Sequence, residues 1–521
     1  MLYNDALDDP LLDAGTLGFA GVRETIAPAL LLDADLYRAQ DVVIDTSGTV
    51  ETRPGTDWVG QPQSAVVQGM WFYDIPGFER LLVVTNGKLY HLSSVAMNST
   101  ATEITGISPA LSTSAQVAFC QLVDKVYMSD GANYYQVYWN GSAWSVTNQA
   151  TFSGGGTLAD FTILLVARAG GANFRVIGTG VNTTDNDLLY VGTTLNGMDW
   201  NAANNVRVGR GDGDPILAVL SDQDGRLTVA KGKSFWYVNP NSAALADWTM
   251  GAIHEKIGTL AGRTCQQVGQ DAFALTERGV ISLGRLTNQD SVNEAAIIST
   301  DIKTTLARLN RTAASTSWAT VWGDYYLLAV PLDAATTPNA ILAYNTVTAR
   351  WSGHWTGLAP RCAVKTDFSN AAETILGDSS GRLLRLSSSA RKDQTALTTF
   401  NEIAAMIETK AWNFQLPRHP KQLFTVEVQF ESSTGKVDVE LIGDGRSAAM
   451  IEEEARTNQL PVLPVALPFS LAADDHLRRG WHLRDQKPAR EVRLRLTATQ
   501  GYLKVREIKF QGWPDTPKVI L

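Results

Sequence analysis

"NAILAYNTVTARWSGHW" (residues 339–355) reads as two strands joined by a tight turn. The apolar run Ala340 to Tyr344 gives way to Asn345-Thr346-Val347-Thr348, and Arg350-Trp351 opens a second run. Apolar and aromatic runs broken by short polar turn segments are the signal of antiparallel hairpins. "DYYLLAVP" (324–331) lies just upstream and supplies one more strand of the same small sheet, from Tyr326 to Pro331. Tyr344, Trp351 and Trp355 then have an evident task. A large aromatic can lie against the next sheet and bury about 150–250 Å² there. "QVYWNGSAWSV" (136–146) repeats the phrase, with an Asn140-Gly141 turn between Tyr138 and Trp144, and Trp236 stands in a related position in "GRLTVAKGKSFWYV". All six aromatics are expected to pack blades together.

The hairpin form, a β-like run, a glycine turn and a second run, occurs seven times, around Gly87, Gly131, Gly171, Gly232, Gly279, Gly323 and Gly381. A recurrence every ~40–60 residues is the mark of a β-propeller, whose small sheets cover their faces only by packing around a ring. The expected fold is therefore all-β, a propeller of seven blades or of six, with an additional β-sandwich-like platform. The expected boundaries are an extended N-terminal segment (1–64) packing with the platform, the propeller (65–390), a polar linker (391–402) and a C-terminal β domain (403–521). In that last domain, 423–445 and 491–513 alternate apolar and polar residues, with turns expected at Ser433-Thr434-Gly435 and Gly501. The best helix candidate is 295–310, where Ile302, Leu306 and Leu309 share a face.

Composition narrows the function classes. The chain has 521 residues, 44% hydrophobic and 19% charged, which is ordinary globular material. Its net charge of −9 argues against a protein that grips nucleic acid by neutralising phosphates. Three scattered cysteines, Cys120, Cys265 and Cys362, fit buried reduced thiols better than a disulfide framework or a zinc site. No apolar run reaches the ~18 residues that cross a membrane, and the acidic start lacks the basic region of a secretory signal.

Catalytic patterns are not found: no G-x-S-x-G elbow, no H-E-x-x-H, no P-loop, and six histidines without ligand spacing. No enzyme activity and no cofactor are expected. Two acidic loops stand out, "GRGDGDP" with Asp212 and Asp214, and "SDQDGR" with Asp222 and Asp224. The second resembles the start of a calcium loop but lacks the distal glutamate, so Asp222 and Asp224 are weak metal candidates. All four acids are candidates for a solvent-facing channel. Arg53-Pro54-Gly55 suits a type II turn, with proline second and glycine third, and is expected to be structural.

Several phrases in order are more specific than any one. They are "TVETRPGT" (49–56), the long stretch 188–238 around "LNGMDWNAANNVRVGRGDGDPILAVLSDQDGRLTVAKGKSFWYV", "CQQVGQDAFALTERGVISLG" (265–284) and "DYYLLAVP…AILAYNTVTARWSGHW" (324–355). Together they resemble the β-propeller tail nozzle or tail-hub proteins of short-tailed bacteriophages, some of which are described as stabilising packaged DNA. The resemblance covers about residues 20–390. It implies a virion structural protein of the tail, assembled in the bacterial host cytoplasm. Such a protein would form a homohexameric ring with the head-to-tail adaptor and other tail proteins as partners, and double-stranded DNA would pass through without specific binding. The alternatives are a receptor-binding or baseplate-type tail protein and a glycan-active propeller, sialidase-like or kelch-type. "TTLNGMDW" (193–200) is a partial match to the Asp-box of sialidases.

Overall fold

The computed structural model describes residues 12–158, 160–170, 173–180, 186–209, 213–222, 225–286, 294–368, 371–444, 446–455, 477–482 and 489–514. The protein is all-β, and its centre is a seven-bladed propeller. Blades 1 to 4 are four-stranded antiparallel sheets at 67–104, 118–148, 163–207 and 216–254. Blade 5 (266–282) has three strands, and blade 6 (318–355) again has four. Blade 7 takes three strands from 360–387, and its outer strand, Gly55–Gly60, comes from the other end of the chain. The innermost strand of blade 7, Pro360–Phe368, packs beside that of blade 1, Val67–Tyr73, so the ring is closed.

Each of the seven blade interfaces has its own apolar core. Side chains of a strand point alternately to its two faces. A blade strand is covered on both, so it must be apolar at nearly every position. Tyr325–Val330 shows the rule: Tyr325, Leu327 and Ala329 pack toward blade 7, and Tyr326, Leu328 and Val330 toward blade 5. This double burial is why the quoted runs are continuous rather than alternating.

The opening stretch folds as Ala340–Asn345 and Arg350–Trp355, paired antiparallel, with Tyr344 opposite Trp351. The Asn345 side chain accepts from the backbone of Val347 and Thr348 and so builds the turn. In blade 5 the place of a fourth strand is taken by short turns after a single bridge, Ile281 to Ile297. The expected helix at 295–310 is one α-turn, Lys303–Leu306, flanked by 3₁₀ segments. Its Thr305 is held by the Glu24 carboxylate, which accepts from the backbone N–H at 2.9 Å and from the hydroxyl at 2.7 Å.

The remaining strands form the platform. N-terminal residues (Phe19, Val22, Leu36, Ala39, Val42, Ile44, Val50) share one core with C-terminal ones from Ala405 to Phe510. Its spine is a pair of 23-residue strands, Lys421–Gly443 and Val492–Pro514, paired antiparallel end to end. At ~3.3 Å per residue the ribbon would extend about 75 Å if straight. No turn is made at Ser433-Thr434-Gly435 or at Gly501. The two expected turns face each other in register, Gly435 opposite Gly501, with bulges to either side, between Phe430 and Ser432 and between Lys436 and Val437. The inward face accordingly switches parity, from Val426, Val428 and Phe430 to Val437, Val439 and Leu441.

Two further corrections follow. The segment 1–64 is not wholly outside the propeller, since Gly55–Gly60 completes blade 7. The expected linker is a hairpin, Lys392–Ala396 with Thr399–Glu402, that pairs with the same strand at Asp393 and Thr56. Asp393 and Gln394 look like linker residues by polarity but are buried, because each has a partner waiting: Arg53 for one, the Trp58 N–H for the other. The platform is also continuous with blade 6, whose last strand meets Asp35–Gln40 at His354 and Gln40.

Candidate functional site

Arg53 stands where platform, blade 6 and blade 7 meet. Its side chain is 2% exposed. Nε donates to Asp41 at 2.8 Å, and Nη1 and Nη2 donate to the two oxygens of Asp393 at 2.9 and 2.5 Å. Nη2 also donates to the Thr356 carbonyl at 2.9 Å. Asp41, in the left-handed region at φ 54°, accepts in turn from the Thr356 N–H (2.7 Å) and hydroxyl (2.6 Å). One guanidinium thus joins the N-terminal segment, the blade 6–7 connection and the post-propeller hairpin. Burial alone would lower its pKa; the hydrogen bonds and charges of Asp393 and Asp41 outweigh burial and raise it. Gly55 is required beside it, since a Cβ there would lie 2.2 Å from the Lys392 carbonyl oxygen. The expected type II turn is not made, because Gly55 has no positive φ and opens the strand Gly55–Gly60; the RPG phrase is a clasp instead.

Five of the six aromatics lie in or against blade-interface cores, and Tyr138 lies instead against Lys125 of its own blade. Trp351 lies in the blade 5–6 core 5.0 Å from the Tyr344 ring, and its indole N–H donates to the Ile298 carbonyl at 2.7 Å. Trp355 lies in the blade 6–7 core and donates to Val42 at 3.0 Å, which links that core to the platform. Trp144 packs on Tyr73, Phe78 and His91 at the blade 1–2 interface. Trp236 is half-buried between blades 3 and 4, and Tyr138 receives Lys125 over its ring.

Two of the four acidic-loop candidates, Asp214 and Asp222, lie among the described residues, and each is bonded within blade 4. Asp214 is buried; its carboxylate accepts from the Lys233 N–H at 2.8 Å and the Ser234 hydroxyl at 3.2 Å, bracing blade 4. Asp222 closes a hairpin turn by accepting from the Arg226 N–H at 2.8 Å. Asp212 and Asp224 lie outside the described residues. Among the described residues no group of three His, Cys, Asp or Glu is placed to hold a metal ion. The Asp-box-like stretch is a turn over the blade 2–3 core, with Trp200 fully buried and Thr193 donating to Asp199.

Sequence reading missed the propeller axis. The seven inner strands surround a cavity of about 360 Å³. Its polar lining includes Gln68, Gln116, Thr162, Arg263 and Gln266. Arg263, entering from blade 5, reaches across it: Nη1 donates to the Gln116 side chain of blade 2 at 2.8 Å, and Nη2 to the Arg361 carbonyl of blade 7 at 2.8 Å. Gly262 permits this approach, because a Cβ there would sit 1.7 Å from the Leu217 carbonyl oxygen. Nothing in "LAGRTC" (260–265) marks an axial residue, since axial position depends on how the blades close. Cys265 and Cys362 flank the axis, and burial pushes their thiols up to about 12 and about 11, so both are neutral and weakly nucleophilic at pH 7.

No protein-family description matches the chain, and no curated protein does. Similar solved structures include YCF48 from Cyanidioschyzon merolae (13% identity, TM-score 0.39, covering 64% of this chain and 98% of that one). Another is BBS1N, solved in complex with ARL6DN (13%, 0.39, 63% and 95%). A third is the Cps50 (Swd1) β-propeller domain of Myceliophteria thermophila (10%, 0.40, 64% and 100%).

Proposed function

We propose that the chain is a structural virion protein, one subunit of a tail nozzle or hub ring beneath the portal and adaptor of a short-tailed bacteriophage. It has no enzymatic role; it extends the DNA conduit and helps retain packaged DNA until ejection. It works in the virion tail and assembles in the host cytoplasm. The ordered phrases from residue 49 to 355 support this reading, and one structural observation carries it. The propeller is locked to a long-stranded platform by the Arg53 clasp and by a sheet that runs from blade 6 into the platform. A wall element that bears the pressure of packaged DNA needs such a rigid joint.

The DNA path in this reading runs between subunits. The axial cavity of about 360 Å³ is crossed by Arg263, whereas the major groove of a duplex alone is about 12 Å wide. A net charge of −9 per subunit would repel the phosphate backbone and favour sliding over sticking. Phage particles assembled without this protein test the proposal. They are expected to lose packaged DNA and infectivity, and to regain both when the purified protein is added. Particles that lack it yet retain and eject DNA normally would refute the nozzle role.

A further inference from the structure

Blade 5 has three strands, and beside the segment 297–311 that follows them the protein leaves a cavity of about 340 Å³. Leu260, Leu275, Ile297, Leu306 and Leu309 supply its apolar wall. All but Leu275 are only partly buried. Each packs one side against the blade 4–5 or blade 5–6 core and leaves the rest uncovered. Three cations line the same cavity, Arg278, Lys303 and Arg311, against one carboxylate, Glu277. All four are exposed at its mouth. Among the described residues none of the three cations stands in an ion pair, whereas Arg308 close by is paired with Asp333 at 2.8 Å.

The walls are held in place by the chain itself. Buried Ser299 accepts from the Val280 N–H at 2.9 Å and so ties the segment to the blade 5 hairpin. The Thr276 hydroxyl donates to the Gly279 carbonyl at 2.9 Å and accepts from the Arg278 N–H at 3.2 Å, which shapes the turn that carries Arg278. Gly279 has φ 116°, and a Cβ there would lie 2.3 Å from the Ser299 hydroxyl oxygen. A preformed cavity of this size belongs at the small end of the ~300–1,000 Å³ range of ligand sites. Its uncovered aliphatic wall favours an apolar body, and its excess of cations favours an anionic head. No aromatic ring is among the described lining residues, so the wall suits an alkyl chain rather than a stacked ring.

We propose that this cavity is a binding site for a small aliphatic carboxylate, its alkyl chain against Ile297, Leu306 and Leu309 and its head toward Arg278, Lys303 and Arg311. An ammonium head would be repelled by the same three cations. An anion without a chain would leave the aliphatic wall wet. The site is complete within one chain, so it stands or falls apart from the nozzle role.

Titration calorimetry of the full chain at constant ionic strength tests it, with octanoate, octylammonium and acetate in separate series. The expected result is saturable binding of octanoate at one site per chain, about tenfold or more tighter than either of the others. The triple variant Arg278→Gln, Lys303→Gln, Arg311→Gln should weaken octanoate binding about tenfold or more, whereas Lys88→Gln, at an exposed surface pair, should leave it unchanged. No saturable binding of octanoate, equal affinity for octylammonium or acetate, or unchanged affinity in the folded triple variant would overturn the proposal. The comparison of the three probes uses the wild-type protein alone, so it decides even where the triple variant does not fold.

Discussion

At position 53 the chain buries a guanidinium among three structural units, and its two carboxylate partners come from residues 41 and 393. Replacing Arg53 with alanine strands both aspartates in the interior. Breaking a buried pair from one side costs roughly 3–5 kcal/mol, so the thermal midpoint of Arg53→Ala should fall clearly, and adding Asp41→Asn with Asp393→Asn should recover part of the loss. The thiols give a second expectation at this scale. All three cysteines are buried and burial raises their pKa values, so iodoacetamide at pH 8 should label none in the native protein and all three after denaturation. A third concerns acid. Burial lowers the pKa of His354, with Arg308 adding to it and Asp41 and Glu24 opposing, and burial followed by Arg80 lowers that of His91. A histidine depressed in the folded state stabilises above its unfolded pKa of about 6.5 and loses that stability as pH falls toward the folded value. The thermal midpoint should therefore drop as the pH falls below about 6.5, and His354→Leu should flatten the decline.

Elements were legible in the sequence to the extent that their signal is local. Tyr326 to Pro331, Ala340 to Tyr344 and the Asn345 turn fold as the strands and turn they suggest, because double burial writes itself as an unbroken apolar run. Gly435 and Gly501 misled, since a glycine that opens a turn and a glycine within a bulged strand look alike until the partner strand is known. Asp393 misled for a related reason: its neutralising partner lies 340 residues away. The axial Arg263 left no trace at all, for the axis is made by closure. Two predictions belong to elements. Trp351→Ala should cost about 3–5 kcal/mol by opening the blade 5–6 core, read as a lower denaturation midpoint. A fragment starting at residue 65 lacks the outer strand of blade 7 and bares a sheet edge, so it should aggregate on size exclusion where the full chain does not.

For the whole molecule, the central feature is a propeller that cannot move freely on its platform. Arg23 adds to the clasp by bridging Asp35 of the N-terminal segment and Asp301 beside blade 5, and Arg350 of blade 6 pairs with the same Asp301. Rigid joints of this kind suit a subunit whose neighbours must meet it at a fixed angle around a ring. The most direct measurement is the solution mass of the purified protein, alone and mixed with portal–adaptor complexes, with negative-stain images of the same samples. The nozzle account predicts a closed ring of six subunits whose central opening lies between subunits and admits duplex DNA, formed by the protein alone or on the portal–adaptor template. A monomer that stays monomeric across concentration and never docks on those complexes would contradict it.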